Sequence, residues 1–288
     1  MSERKGKSSG SKKPSRASGD RSKGFDKSSK KPFSKGEQRY KKAKGDPLPS
    51  FSDDVRLNKF IANAGICSRR EADVLIESGI VEVNGKIITE MGYKVKPGDE
   101  VKYDGSTIKT EKKRYVLLNK PKDFITTMDD EHGRRTVLQL VKTACKERIY
   151  PVGRLDRNTT GVLLFTNDGD LAKKLTHPRY EVKKIYHVEL ERPIDVEQIK
   201  ALHVGVELDD EDFVKVDSAE IIADSRMREV GVEIHSGKNR VIRRMFEAIG
   251  HNVTRLDRVK FAGLTKKDLP RGTWRHLTDQ EVDFLRMG

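Results

Sequence analysis

The sequence predicts an α+β fold: a small αβ module in front, and behind it a mixed, mainly antiparallel sheet. Three observations predict it. Strand-like apolar runs outnumber helical periods along the chain. The two kinds of segment do not alternate strictly, which argues against a doubly wound parallel sheet. The front of the folded part holds two short helices and a hairpin signal, which is too little material for an enzyme on its own.

The first element in order is a tail. The 288-residue chain holds 59 Lys/Arg and 45 Asp/Glu; 16 and 5 of them fall in residues 1–50, so this stretch carries +11 of the net charge of +14. It is rich in Ser, Gly, Lys and Pro and poor in large apolar residues. Too little surface can be buried to offset ordering, so residues 1–52 are expected to be disordered. A basic tail suits a polyanion through counterion release, without sequence specificity. A solubilising extension accounts for it equally well. It has no apolar stretch of the secretory-signal kind, and its Lys-dominated, acid-containing composition argues against a mitochondrial presequence. No apolar run is long enough to span a membrane. The two cysteines, Cys67 and Cys145, form no CxxC pair. That fits a reducing compartment and excludes a cysteine-based zinc module. The histidines are scattered, and no metal site is found. The expected location is the cytoplasm, away from membranes.

Residues 53–110 form the front module. LNKFIANAG reads as a short helix ended by Gly65. SRREADVLIESG carries a capping box, with Ser68 as cap and Glu71 three residues on, and Gly79 as its stop. IVEVNGKII places two β-rich runs around Asn84-Gly85, a hairpin signal, and EVKYDG adds a strand. Arg69 and Arg70 open the second helix. Arginines there oppose the helix dipole, yet they suit a neighbouring phosphate, for which guanidinium forks and backbone N–H groups act together.

Residues 111–288 form the larger unit. RYVLLNKP is a strand stopped by Pro121, and residues 161–166 form a short buried strand stopped by Asn167-Asp168-Gly169 as a turn. DLAKKLTHP is a short helix closed by Pro178. KKIYHVEL alternates, placing Tyr186, Val188 and Leu190 on one face. Asp195 and Gln198 cap the helix VEQIKALH. FVKVDSAEII and REVGVEIH read as strands. VIRRMFEAIG is a helix with Ile242, Met245, Phe246 and Ile249 on one face and Gly250 as its stop. Thr278 and Glu281 cap the last helix.

GRLDRNTTG, residues 153–161, is where chemistry is first suspected. Asp156 lies between Arg154 and Arg157, which favours its ionised form. An ionised carboxylate serves as nucleophile or general base, but structural ion pairs look the same. The same tetrapeptide, Arg-Leu-Asp-Arg, returns at 255–258. If that copy is a strand, Leu256, Arg258 and Lys260 share one face and Asp257 takes the other, in a solvent-facing or sheet-edge place. Charge spacing alone does not choose between Asp156 and Asp257.

A resemblance does choose. GRLDRNTTGVLLFTNDGDLAKKLTHP resembles the catalytic signature GRLDxxTxGLLLLTNDGxLxxxLxHP of the RsuA/RluB-type pseudouridine synthases. LLNKP at 117–121 is similar to that family's first motif, and EVKKIYHVEL to its tyrosine strand. HSGKNRVIRRMFEAIGHNVTRLDRV is similar to its third motif. RLNKFIANAGICSRREADVLIESGIVEVNG, residues 56–85, resembles an S-four-type RNA-binding domain. The likeness spans about 56–285, and the RluB-like branch matches best.

The resemblance implies isomerisation of a uridine to pseudouridine in ribosomal RNA, of the large subunit or a pre-ribosomal particle, by a monomer needing no cofactor. It implies Asp156 as the essential carboxylate, Tyr186 as the residue that stacks on the base and accepts the C5 proton, and Arg243 as the partner that orients Asp156. Arg154, Lys120, Ile242, Arg69 and Arg70 are the candidate substrate-binding residues, Ile242 as an apolar wall. Two positions depart from the pattern: Asp123 stands where glycine is common, and Thr160 where serine or glutamate is usual. Asp123 unsettles its loop if that position needs a positive φ. Two other readings are an idle RNA-binding or ribosome-assembly factor and an RNA nuclease or glycosidase. The intact Asp156, Tyr186 and Arg243 set disfavours the first. The second wants another acid, a histidine pair or a metal cluster.

Overall fold

The computed structural model describes residues 54–208 and 213–287. The tail expected to be disordered lies outside them.

In the front module β1 (Val55–Arg56) leads into α1 (Leu57–Asn63). Gly65, with φ +78°, turns the chain out of the helix. In α2 (Arg69–Glu77) the Ser68 amide donates to Glu71 Oε2 at 2.6 Å and the Glu71 amide donates to Ser68 Oγ at 3.2 Å, so the capping box forms. β2 (Val81–Val83) and β3 (Lys86–Ile87) form a hairpin. Its turn residues Asn84 and Gly85 have φ of 52° and 76°, the left-handed pair that a tight two-residue turn needs. β4 (Lys94–Val95), β5 (Val101–Tyr103) and β6 (Ser106–Thr107) complete it. β1 pairs with β4, and the other strands run β3-β2-β5-β6. Leu57, Ile61, Ala72, Ile76, Val81 and Val101 close the core between helices and sheet.

The larger unit begins with β7 (Tyr115–Lys120), α3 (Val137–Val141), β8 (Tyr150–Pro151), β9 (Thr159–Thr166) and α4 (Gly169–Thr176). β10 (Lys184–Leu190), α5 (Val196–Val204), β11 (Val206–Glu207), β12 (Phe213–Val214), β13 (Ser218–Ile221) and β14 (Glu229–Ile234) follow. α6 (Val241–Ala248), β15 (Val253–Phe261), β16 (Leu264–Thr265), β17 (Trp274–His276) and α7 (Asp279–Met287) complete it. The main sheet runs β13-β14-β10-β15-β9-β7-β17, with β16 on β15 and β8 on β9. β9 and β15 pair in parallel and every other described strand pair of this sheet is antiparallel, so the sheet is mixed and mainly antiparallel.

β7 and β9 are buried on both faces. Val116, Leu118, Leu163 and Phe165 pack under α3, while Leu117, Val162 and Leu164 pack under α4 and α7. That is why both read as continuous apolar runs rather than alternating ones. β10, β14 and β15 alternate, and their inner residues Val188, Val230, Val232 and Leu256 meet Ile242, Met245 and Phe246 of α6. Among the described residues no helix is long and apolar enough to cross a membrane.

The structure revises several sequence expectations. Asn167-Asp168-Gly169 is a helix start: Asp168 accepts from the Leu171 amide at 3.3 Å, and α4 begins at Gly169. FVKVDSAEII is two strands, because β12 pairs with β11 and β13 with β14. Between them the Val216 amide turns aside to the Leu202 carbonyl at 3.2 Å. β15 lies between β10 and β9, so Asp257 sits on an interior strand rather than a sheet edge. The β10·β15 register slips between Arg258 and Lys260. That bulge removes Lys260 from the Leu256 and Arg258 face and leaves it exposed.

Candidate active site

Asp156 sits on the segment joining β8 to β9, and Lys120 holds that segment. Lys120 Nζ donates to the backbone carbonyls of Pro121 at 3.2 Å, Asp156 at 3.0 Å, Arg157 at 3.3 Å and Thr159 at 2.8 Å. The lysine is wholly buried behind the loop, whereas the sequence reading had it against substrate. Burial pushes its pKa down to about 8, against the pull of the Asp156 and Asp123 carboxylates. Two further ties fix the loop. Thr126 Oγ1 donates to the Leu155 carbonyl at 2.8 Å, and the Asp123 amide donates to the Arg157 carbonyl at 2.9 Å. Asp123 does have a positive φ, 69°, and its carboxylate meets Arg157 Nε at 3.3 Å. Arg157 is thus turned toward Asp123.

The loop opens onto a cavity of about 360 Å³. Arg154, Asp156, Tyr186 and Ile242 all line it, so the structure brings these four sequence candidates together. Tyr186 comes from β10, Ile242 from the first turn of α6, and Leu175 and Thr176 from the end of α4. Five cationic side chains line the cavity (Arg154, Lys184, Lys238, Arg240 and Arg258) against the single carboxylate of Asp156. Such a wall suits a nucleotide: the exposed Arg154, Lys238 and Arg240 for phosphate, and Ile242, Leu256 and Phe261 for the face of a base.

Arg243 lies behind this wall. It is buried, its Nη1 donates to the Val253 carbonyl at 2.7 Å, and its Nε is buried with no partner. Burial and the neighbouring Arg240 lower its pKa, while Asp156 and Glu247 raise it. Arg243 is therefore within electrostatic reach of Asp156, but its hydrogen bond goes to backbone.

Arg69 and Arg70 are elsewhere. Both are exposed on the first turn of α2. Arg69 stands beside the start of α4, where a Cβ on Gly169 would come 3.1 Å from Arg69 Nη2 and 3.1 Å from the Tyr150 hydroxyl. Lys59 Nζ meets Asp170 at 2.6 Å at the same place, and the Glu111 amide donates to the Asn63 carbonyl at 2.9 Å. α4 thus touches the front module at one end and lines the cavity at the other.

The second Arg-Leu-Asp-Arg divides its residues. Asp257 Oδ1 accepts from Thr160 Oγ1 at 2.9 Å, and its Oδ2 meets Lys266 and, at 3.2 Å, Arg271. Burial alone would push the Asp257 pKa up, but Lys266, Thr160 and Arg271 hold it below the ordinary carboxylate range. Asp257 is a structural carboxylate away from the cavity, and Thr160, the departure from the pattern, is its partner. Arg258 takes the other face and enters the cavity wall.

Sequence reasoning missed Arg258 and Lys184. Lys184 Nζ donates to the carbonyls of Val182 at 2.8 Å and His235 at 2.5 Å, and burial beside Arg258 lowers its pKa to about 8. Strand periodicity carried the signal for both, since Lys184 is two residues before Tyr186 and Arg258 two after Leu256.

A family model described as RNA pseudouridylate synthase matches residues 114–248, and one described as S4 domain matches residues 55–101. The ribosomal large subunit pseudouridine synthase B of Bacillus subtilis (strain 168) is 41% identical over 233 residues, covering 80% of this chain and 95% of the relative. The dual-specificity RNA pseudouridine synthase RluF of Escherichia coli (strain K12) is 36% identical over 244 residues, covering 83% and 81%. A crystal structure of a pseudouridylate synthase superposes with a TM-score of 0.59 at 30% identity, covering 80% of this chain and 99% of that one.

Proposed function

This chain belongs to the RNA pseudouridine synthase family, and from that premise we propose that it isomerises a specific uridine of large-subunit ribosomal RNA, with Asp156 as the essential carboxylate and no cofactor. The observation that carries the reading is the shared cavity of Asp156, Tyr186 and Ile242, with the Asp156 loop pinned from behind by Lys120.

In the proposed reaction the N1–C1′ bond of uridine breaks, the base turns, and a C5–C1′ bond forms. C5 then gives up its proton and N1 gains one, so atoms balance without an external reagent. Asp156 serves the step in which C1′ loses the base, and an ionised carboxylate suits a sugar developing positive charge. The backbone hold on its loop leaves the side chain free while fixing where it stands. Ile242 and Leu256 keep the detached base in an apolar enclosure, and Tyr186 stacks on it and accepts the C5 proton. Arg243 biases Asp156 through space. Arg69, Arg70 and the basic tail bind RNA outside the cavity. The proposed setting is a cytoplasmic monomer acting on ribosomal RNA or a pre-ribosomal particle.

The test maps pseudouridine in ribosomal RNA from cells with the protein, without it, and with Asp156→Ala. Loss of the same large-subunit site in the last two supports the reading. An unchanged map, or a modified site in the Asp156→Ala cells, rejects it.

A further inference from the structure

Arg258 carries a charge inside the protein that the proposed chemistry does not use. It is 3% exposed, on a strand between two others. Its Nε donates to the Val162 carbonyl at 2.9 Å, and its guanidinium lies 4.6 Å from the centre of the Phe261 ring. Its Nη2 is buried and has no hydrogen-bond partner. An unpaired donor in such a place forfeits its hydration without return, so a native use for it is expected.

The neighbouring polar group is the Tyr186 hydroxyl. Tyr186 and Arg258 are directly opposed in the β10·β15 ladder, so their side chains share a face, and both line the cavity. Burial lowers the Arg258 pKa and the Tyr186 hydroxyl raises it again, as an acceptor beside a cation does.

We propose that Arg258 is a positioning residue for Tyr186: its guanidinium, fixed by Val162 and Phe261, donates to the Tyr186 hydroxyl oxygen when RNA is bound and so sets the phenol against the base. This rests on the reading of Tyr186 given above. No proton moves from Arg258, which stays charged throughout. Its sealed position keeps it from phosphate, so it acts through the tyrosine and not on RNA directly.

The test uses the full-length protein and a ribosomal RNA fragment that it modifies. Four variants are compared with wild type: Arg258→Met, Arg258→Lys, Tyr186→Phe and the Arg258→Met/Tyr186→Phe double variant. Arg258→Met keeps the apolar volume, a replacement that buried charges tolerate. Expected are a fall of about 100-fold in the single-turnover rate and RNA affinity within about threefold. Arg258→Lys should recover part of the loss, since it keeps the charge but not the fork. In the Tyr186→Phe background, Arg258→Met should add less than about threefold, because both changes remove one interaction. Losses that multiply, or an Arg258→Met enzyme of normal rate, overturn the proposal.

A second readout needs no activity. The ring signals of Tyr186 in tyrosine-labelled protein bound to the RNA fragment, assigned by their absence in Tyr186→Phe, should move in both Arg258 variants. Unmoved signals overturn the contact even if the RNA reaction proves to be another. Absence of pseudouridine with wild type rejects the functional reading alone.

Discussion

Lys120 Nζ lies 3.0 Å from the backbone carbonyl of Asp156 and makes no hydrogen bond to its carboxylate. The buried lysine thus fixes the position of the proposed catalytic group without occupying it. Four carbonyls converge on one ammonium that has three protons, so the lysine is shared along the turn from Asp156 to Thr159.

Lys120→Met keeps the stem and removes every donor. The freed carbonyls cost about 1–3 kcal/mol each where they stay buried, and a total loss of about 3 kcal/mol is expected in urea unfolding. The loop should loosen, and the single-turnover rate should fall at least about 100-fold with RNA affinity nearly unchanged. An intact rate in the folded variant would show that the loop holds itself.

The lowered Lys120 pKa separates stability from activity as pH rises. Below about pH 8 folded and unfolded chains both hold the proton, and the cost of burying the charge is present in full. Between about 8 and the ordinary value of 10.5 the unfolded chain holds a proton that the folded chain has released, so this group makes the fold more stable with rising pH. The neutral amine has fewer protons for the carbonyls, so the rate should fall through the same window. Lys184 contributes to stability with the same sign and a similar midpoint. The Lys120 part is therefore read as the difference between wild type and Lys120→Met in urea unfolding from pH 7 to 10. A rate that stays level above pH 8 would contradict the role given to the charge.

Asp257 and Asp156 should fail in different ways. Asp257→Ala strands the ammonium of Lys266, whose side chain is 20% exposed, and removes the acceptor of Thr160. The expected cost is about 3 kcal/mol, with the rate per folded molecule close to wild type. Since the Asp257 pKa is lowered in the fold, its stabilisation is present above the ordinary carboxylate range and is lost as pH falls through the folded value. Thermal unfolding of both chains between pH 3 and 7 checks this: the gap between them should close on the acid side.

Elements with strong local chemistry were legible in the sequence. The Ser68–Glu71 and Asp195–Gln198 capping boxes and the Asn84-Gly85 turn form where they are expected, because each is settled within a few residues. Tyr186, Val188 and Leu190 share a face for the same reason. The interior place of β15 was not legible. It depends on the parallel pairing with β9, a contact about a hundred residues away that Gly161 permits: with φ +105°, a Cβ there would fall 2.2 Å from the Arg258 carbonyl. The two Arg-Leu-Asp-Arg copies are alike in sequence, and surroundings alone make one carboxylate a cavity group and the other an ion-pair partner. The place of the Lys120 ammonium was not legible either, because its acceptors are backbone carbonyls that carry no sequence signal.

RNA binding should separate the two arginines that open α2. Arg70 is exposed, so Arg70→Ala should remove about one unit of salt slope at most, leaving thermal stability as it was. Arg69 stands at the Gly169 and Tyr150 contact, so Arg69→Ala should also loosen the joint around α4 and lower the melting temperature. Removing residues 1–50, which carry +11, should lower affinity further and flatten the dependence of binding on salt. At saturating RNA the truncated enzyme should turn over at the full rate, because the cavity lies within residues 152–261. Affinity measured from 50 to 300 mM salt decides the matter: an unchanged slope in the truncated chain would remove the tail from the binding surface and leave it a solubilising extension.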